Sequence, residues 1–289
     1  MSTAAHHNPP RQTLRGMLFR MAGTMLATAA ALMPAAASDR STALPPSVQQ
    51  GAMVIGRTEP GNQVKLDGRA LRVSADGIFV FGIARDAVKP ASVEILWFDG
   101  VTERTDVAVT PRDWPIEKIN GVPAATVNPP PEIAARIARE QSSVAAVRTR
   151  DDARADFAQP FIWPVRGRIS GRFGNQRVYN GTPKTPHSGM DIAAANGTPV
   201  KAPAAGIVTF ASPSLYLTGG TVVIDHGAGV SSNFLHLSRI DVKVGDRVEQ
   251  GQVFAAVGAT GRSTGPHLHW GMNWFDVRMD PLLVLELAK

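Results

Sequence analysis

From Gly51 to about Val109, apolar residues come in short runs separated by turn residues. The runs are Ala52-Met53-Val54-Ile55-Gly56, Gln63-Val64-Lys65-Leu66, Leu71-Arg72-Val73, Ile78-Phe79-Val80-Phe81 and Val93-Glu94-Ile95-Leu96-Trp97-Phe98. Between them stand Pro60-Gly61, Asp67-Gly68, Asp76-Gly77 and Asp99-Gly100, pairs that favour tight turns. Short apolar runs bounded by such pairs predict strands and hairpins. About six strands in so short a stretch predict a small β-sandwich-like domain over residues 38–115. Residues 38–50 are polar and proline-containing, and read as its leader. The region has no histidine and no clustered carboxylates, so no chemistry is assigned to it.

The period then changes. A proline-rich joint runs from Pro111 to Pro131, and Glu132 to about Phe157 reads as a helix, with Ile133, Ile137, Val144 and Val147 at heptad-like spacing. Glu132, Arg136 and Glu140 lie four apart and support an exposed face. The apolar stripe is too short for a coiled coil, so residues 116–160 are read as a joint and a spacer helix packed on a domain. From Phe161 on, runs such as 206–210, 221–225 and 252–257 are punctuated by Gly, Asn and Pro, and predict a second, mostly antiparallel β domain over 161–289. Leu282 to Leu287 fits a helix or a strand equally. The fold class is therefore mainly β.

Composition narrows the chemistry. With 44% hydrophobic residues, the chain can bury enough apolar surface to fold. Cysteine is absent, which excludes disulfides, Cys-ligated zinc or iron–sulfur sites, a thiol nucleophile and a lipid-modified N-terminus. Any metal must use His, Asp, Glu or backbone oxygen. Residues 1–37 hold Arg11, Arg15 and Arg20, the weakly apolar run Met21 to Met33, and Ala35-Ala36-Ala37. A basic stretch, an apolar stretch and a small-residue site are expected of a secretory signal cleaved after Ala37. Losing its three arginines takes the formal charge from +6 to +3, so the basic balance is not read as nucleic-acid binding. The expected product is exported and not inserted in a membrane.

The histidines carry the most information. Apart from His6 and His7, all lie in the C-terminal domain: His187, His226, His236, His267 and His269. In a strand, His267 and His269 share one face about 7 Å apart, and Leu268 and Trp270 take the other. Such a pair can bind one metal together, or one can bind while the other works on water. In His187-Ser188-Gly189-Met190-Asp191, Pro186 and Gly189 disfavour a helix, so a turn entering a strand is expected, with His and Asp converging. Two histidines, a carboxylate and an open position suit catalytic zinc, with His236 a further candidate. No His-Glu-x-x-His helix exists, which excludes a thermolysin-type protease. His226 reads as structural. Gly261-Arg262-Ser263-Thr264-Gly265 matches the serine-hydrolase elbow pattern, but Pro266 and a strand follow where a helix is needed, so a turn presenting the His pair is expected.

These segments resemble the LytM-type M23 metallopeptidases, zinc endopeptidases of peptidoglycan. The matching stretches are His187-Ser188-Gly189-Met190-Asp191, Gly197-Thr198-Pro199-Val200-Lys201-Ala202, Phe234-Leu235-His236-Leu237, Val242 to Val248, and Ser263-Thr264-Gly265-Pro266-His267-Leu268-His269. The resemblance covers about 160–285, under half the chain. The N-terminal β region and helix are more loosely similar to a region of exported members. It implies a C-terminal antiparallel β domain of the duplicated-hybrid-motif type, with a groove that the loop Phe173 to Pro186 can flank. It implies His187, Asp191 and His269 as Zn2+ ligands, and His267 and His236 as the catalytic pair. His267 is assigned to proton transfer and His236 to stabilising the tetrahedral intermediate, roles the two could exchange.

The expected function is an exported, periplasmic or cell-envelope zinc endopeptidase that cleaves stem or cross-link peptides of peptidoglycan. A non-catalytic LytM-type wall-binding or amidase-activator protein is the alternative, and the full set of expected ligands argues against it. A wall-hydrolase or divisome partner is left open. Val242 to Gly251 also looks like a lipoyl or biotinyl carrier hairpin, but Lys243 lies inside an alternating run and the chain carries an export signal.

Overall fold

Alternation is clearest in the strand Ala91–Leu96, where Ala91, Val93 and Ile95 are buried and the residues between them are not. One face thus points into a core and the other to solvent. In the computed structural model, which describes residues 40–122 and 124–287, this strand is central to a five-stranded sheet. The order is Ser47–Gln49, Thr102–Thr110, Ala91–Leu96, Gln63–Leu66, Arg69–Leu71, with only the first pair parallel. A two-stranded ribbon, Met53–Arg57 with Ile78–Gly82, shares its core through Phe79 and Phe81. Gly56 faces Phe79 across that ribbon, where a Cβ would lie 2.2 Å from the ring, so only glycine leaves room for it.

Two elements depart from the sequence reading. Ser47–Gln49 lies in the expected leader yet is an edge strand, because Leu44 and Val48 can pack against the core. Thr102–Thr110 was not expected as a strand. Thr102, Arg104, Asp106 and Thr110 are exposed, while the polar Glu103 and Thr105 share the inner face with Val107, the one fully buried residue, so the strand carries no apolar run.

The helix runs Pro131–Ala146, with Pro131 in its first turn, and ends in a 3-10 turn, Val147–Thr149, well short of Phe157. Arg150 is already extended. Beyond it, the Asp152 carboxylate accepts from the backbone and side chain of Arg154 and from Arg150, local bonding that competes with a helix. Of the two expected i,i+4 pairs, Arg136–Glu140 forms at 2.7 Å. The helix lies along the end of strand Gly206–Leu215, where Arg136 reaches the Ser214 carbonyl and Glu140 accepts from the Tyr216 backbone. Inside the expected joint, Ile116–Ile119 pairs in parallel with Gln176–Tyr179.

The C-terminal region is built on an eight-stranded antiparallel sheet. Its order is Arg247–Val248, Gly206–Leu215, Gly219–Gly227, Val230–Leu237, His267–Trp274, Met190–Ala193, Arg168–Gly171, with Val277–Met279 also paired to His267–Trp274. A three-stranded sheet, Pro199–Lys201, Val253–Ala256 and Arg239–Ile240, closes the core around Phe234, Phe254 and Trp270. The apolar core is continuous with that of the N-terminal region: Gly82 lies where a Cβ would come within 3.0 Å of Trp274 and Met279. The C-terminal ambiguity resolves as a helix, Pro281–Glu286, because Asp280 caps it by accepting from the Leu282 backbone. Asp280 also pairs with Arg112 at 2.9 Å. The expected signal, residues 1–37, lies outside the described residues. Among those described, no helix is long and apolar enough to cross a membrane.

Candidate metal centre

Strand register assembles the site. His267–Trp274 lies between Met190–Ala193 and Val230–Leu237, which sets Asp191 directly opposite His269 on one side and Leu235 opposite it on the other. Residues opposite one another share a face, so the carboxylate and the imidazole meet without any special loop. His187 comes from the segment just before its strand. Its backbone N–H donates to Asn175 O, and its carbonyl accepts from Gly174 N, each at 2.9 Å. Gly189 lets this segment cross the sheet: a Cβ there would lie 2.4 Å from Trp270 O and 2.8 Å from His269 Nε2.

Three donor atoms converge. His187 Nε2 is 3.0 Å from His269 Nδ1 and 3.1 Å from Asp191 Oδ1, and His269 Nδ1 is 2.9 Å from Asp191 Oδ1. His187 Nδ1 lies 3.0 Å from Arg172 O, to which it donates, so Nε2 presents a lone pair to the triangle. At most one ring proton is then left for three acceptor atoms. Among the described residues His269 Nε2 is buried with no hydrogen-bond partner, so the polar contacts of that ring are all at Nδ1. A divalent cation satisfies the set. Ligand atoms about 2.0–2.1 Å from a tetrahedral zinc stand roughly 3.4 Å apart, close to the spacing found here. The residues therefore fit a metal.

The electrostatics agree with the geometry. Burial opposes ionisation of Asp191, but hydrogen bonds and charge from His187 and His269 outweigh it and hold the carboxyl well below its ordinary range. Burial pushes His269 down to about 3, against the pull of Asp191. Burial, then His267, pushes His236 down to about 4. Near neutral pH Asp191 is thus charged and these imidazoles neutral, the forms in which each offers a lone pair.

His267 and His236 stand beside the triangle without joining it. His267 Nδ1 is 2.9 Å from Gly265 O, leaving Nε2 turned inward, 3.8 Å from Asp191 Oδ1. His236 Nδ1 is 2.7 Å from Thr260 O, and its ring lies 4.7 Å from that of His267 and 6.4 Å from that of His269. His236 also holds a left-handed backbone, φ 63°, fixed by its N–H on Thr218 O. That conformation costs a non-glycine residue on the order of 1 kcal/mol and aims the ring inward. His187, His236 and His269 line one cleft, with Asp191 and His267 in contact range behind them. His226 is elsewhere, fully buried, with Nδ1 2.7 Å from Ala205 O and Nε2 2.8 Å from Ser232 Oγ. Ser263 donates to Gly265 O within its turn and contacts His267 Nδ1 at 3.2 Å, so it steadies the turn that presents the histidine.

Sequence reasoning missed Arg177. Its Nη2 donates to Asp191 Oδ2, its Nη1 donates to the Tyr179 hydroxyl at 3.0 Å, and its Nε is 3.5 Å from Glu117 Oε2. The guanidinium leaves Asp191 Oδ1 free for the triangle. Gly171 makes the space, since a Cβ there would lie 2.5 Å from Asp191 Oδ2 and 2.8 Å from Arg177 Nη2. The available signal was a lone arginine in the loop expected to flank the groove. The cleft itself is a cavity of about 640 Å³, walled by that loop on one side and by Ile137 and Val144 of the helix on another.

Residues 185–281, which hold all five candidates, match the model of peptidase family M23. A crystal structure of a peptidase M23 candidate from Pseudomonas aeruginosa superposes with a TM-score of 0.62 at 32% identity, covering 83% of this chain and 95% of that one. The chain belongs to peptidase family M23. Since the superposition reaches well beyond residues 185–281, the M23 likeness includes N-terminal β structure as well. Peptidoglycan DD-endopeptidase ShyA of Vibrio cholerae is 43% identical over 111 residues, 37% of this chain and 26% of that protein. Cell division protein DipM of Caulobacter vibrioides is 33% identical over 165 residues, 55% of this chain and 26% of that protein. The matched part is about a quarter of the length of each of these two relatives.

Proposed function

We propose that the protein is an exported zinc endopeptidase that hydrolyses amide bonds in the stem or cross-link peptides of peptidoglycan. The observation that carries this reading is the triangle of His187 Nε2, Asp191 Oδ1 and His269 Nδ1, whose two histidines line a cleft. Those three residues would hold the ion. An all-nitrogen-and-oxygen set of two imidazoles and one carboxylate favours zinc with one position left for substrate or water. When bound, the ion supplies Lewis-acid polarisation of the scissile carbonyl and of water.

The remaining chemistry falls to side chains. His267 Nε2, unprotonated because Nδ1 donates to Gly265 O, takes a proton from the attacking water and returns it to the leaving amine. His236 is held in the same way through Thr260 O and is neutral near pH 7, so its Nε2 presents a second lone pair and donates to the developing oxyanion once it has taken up the water's proton, in exchange of roles with His267. Arg177 and Gly189 keep the carboxylate and the approach of His187 in register. The non-catalytic activator reading is disfavoured, because a vestigial site has no reason to keep three converging donors and two oriented imidazoles.

Peptidoglycan as substrate draws on the name of the ShyA relative and on the family resemblance. Export to the periplasm or cell envelope draws on residues 1–37, and the division into 38–115, 116–160 and 161–289 belongs to the same proposal. The test is digestion of purified wall sacculi by full-length protein. Soluble muropeptides should appear with wild type and zinc, and disappear with His269→Ala. Intact sacculi after treatment with zinc-loaded wild type would contradict the proposal.

A further inference from the structure

The floor of the cleft continues past the histidines. Along His267–Trp274, Asn273 lies on the same face as His267 and His269, and register pairs it with Arg278 of the neighbouring strand. Arg278 donates to Asn273 Oδ1, and Asn273 in turn donates to Asn233 Oδ1 at 3.0 Å. Above this end stands Arg148, in the 3-10 turn that follows the helix. Both arginines line the cavity that holds His187, His236 and His269.

Neither has an acidic partner among the described residues. Among the described residues Arg148 makes no hydrogen bond or ion pair, and its Nε is buried with nothing to accept from it. Arg278 has, among the described residues, only the neutral amide of Asn273. Burial, then the like charge of Arg148, pushes Arg278 down to about 9, so the two guanidiniums repel one another across the cleft. Glu140 is the acidic residue lining this cavity, and it is engaged by Arg136 and the Tyr216 backbone, at 2.7 Å each. Two half-buried cations without a counter-charge destabilise a fold unless an anion shares the site.

We propose that Arg148 and Arg278 form a subsite for a carboxylate of the bound peptide. The proposal rests on the reading of the cleft as a peptide-hydrolase site. Guanidinium forks match the planar, two-oxygen geometry of a carboxylate better than that of a point-like anion. Four residues of strand separate His269 from Asn273, about 13 Å at the usual rise. An extended peptide covers that distance in about four residues. The recognised group therefore lies several residues from the scissile bond, and acidic stem peptides would be selected over amidated ones.

The test measures binding rather than turnover. Full-length protein is titrated calorimetrically with one stem peptide in two forms, free acid and amidated at its side carboxylates. Wild type should bind the acid about tenfold more tightly. Arg278→Gln and Arg148→Gln should each cut that ratio severalfold, and the double variant should abolish it, with zinc content unchanged. Should Arg278→Gln fail to fold, Arg148→Gln, in an outer turn, carries the test. Equal affinity of wild type for the two peptides overturns the subsite, as does an undiminished preference in Arg148→Gln. A preserved preference in a protein that leaves sacculi intact would count against the hydrolase reading alone.

Discussion

Two buried histidines on strands of the same sheet, His226 and His269, invite comparison. Both are almost inaccessible, and burial pushes them down to about 4 and about 3. By burial and titration they are near twins. Their partners differ. Both ring nitrogens of His226 are satisfied, by the Ala205 carbonyl and the Ser232 hydroxyl, so the ring is packing that happens to be polar. His269 turns Nδ1 to a lone pair of His187 and to a carboxylate, and its Nε2 is left bare. A shifted pKa thus shows only that a group is buried. Function shows in donors that converge with too few protons to satisfy them.

The sharpest way to break the comparison is to remove each ring. His269→Ala should abolish stoichiometric zinc binding and the release of muropeptides, whereas His226→Ala should retain zinc, both read by elemental analysis of dialysed full-length protein. Next in size is His267→Ala. It should keep the metal and lose roughly 10²–10⁴-fold in turnover, because a proton acceptor is lost and no ligand is. A variant that lost zinc as well would move His267 into the coordinating set.

Arg177→Gln probes the support of the carboxylate. Removing an outer hydrogen bond from a ligand should weaken metal affinity about 10–100-fold, measured by competition with a chelator. The smallest effect belongs to His226 and is one of stability. His226→Ala should cost about 1–3 kcal/mol, since Ser232 and the Ala205 carbonyl lose a buried partner. It should also change the pH profile. The folded ring titrates at about 4 and the unfolded ring near 6.5, so between those values the unfolded chain binds the extra proton. Wild-type stability at His226 is therefore complete above about pH 6.5 and falls by about 1.4 kcal/mol per unit as pH drops towards 4. In His226→Ala, urea unfolding should show that one-proton slope removed.

Much of the centre was legible because it is local. His267 and His269 on alternate strand positions, and the glycine between His187 and Asp191, are facts of period and turn chemistry. The pairing of Asp191 with His269 was not legible, since it depends on which strands neighbour one another, nor was Arg177, which reaches Asp191 from a strand of a different sheet. The same limit holds for the fold. The core-facing runs at 63–66 and 78–81 became strands, whereas Ser47–Gln49 and Thr102–Thr110 are strands through the partners they pair with. The helix end at Ala146 was hidden because the bonding around Asp152 competes with a pattern that alone would continue.

The central claim is that two imidazoles and one carboxylate hold a single zinc ion. Anomalous diffraction at the zinc edge, on crystals of the full-length zinc-loaded protein, tests it most directly. The account predicts one peak about 2.0–2.1 Å from His187 Nε2, Asp191 Oδ1 and His269 Nδ1. A peak bound by other residues, or none at a concentration that saturates the protein in solution, would contradict it.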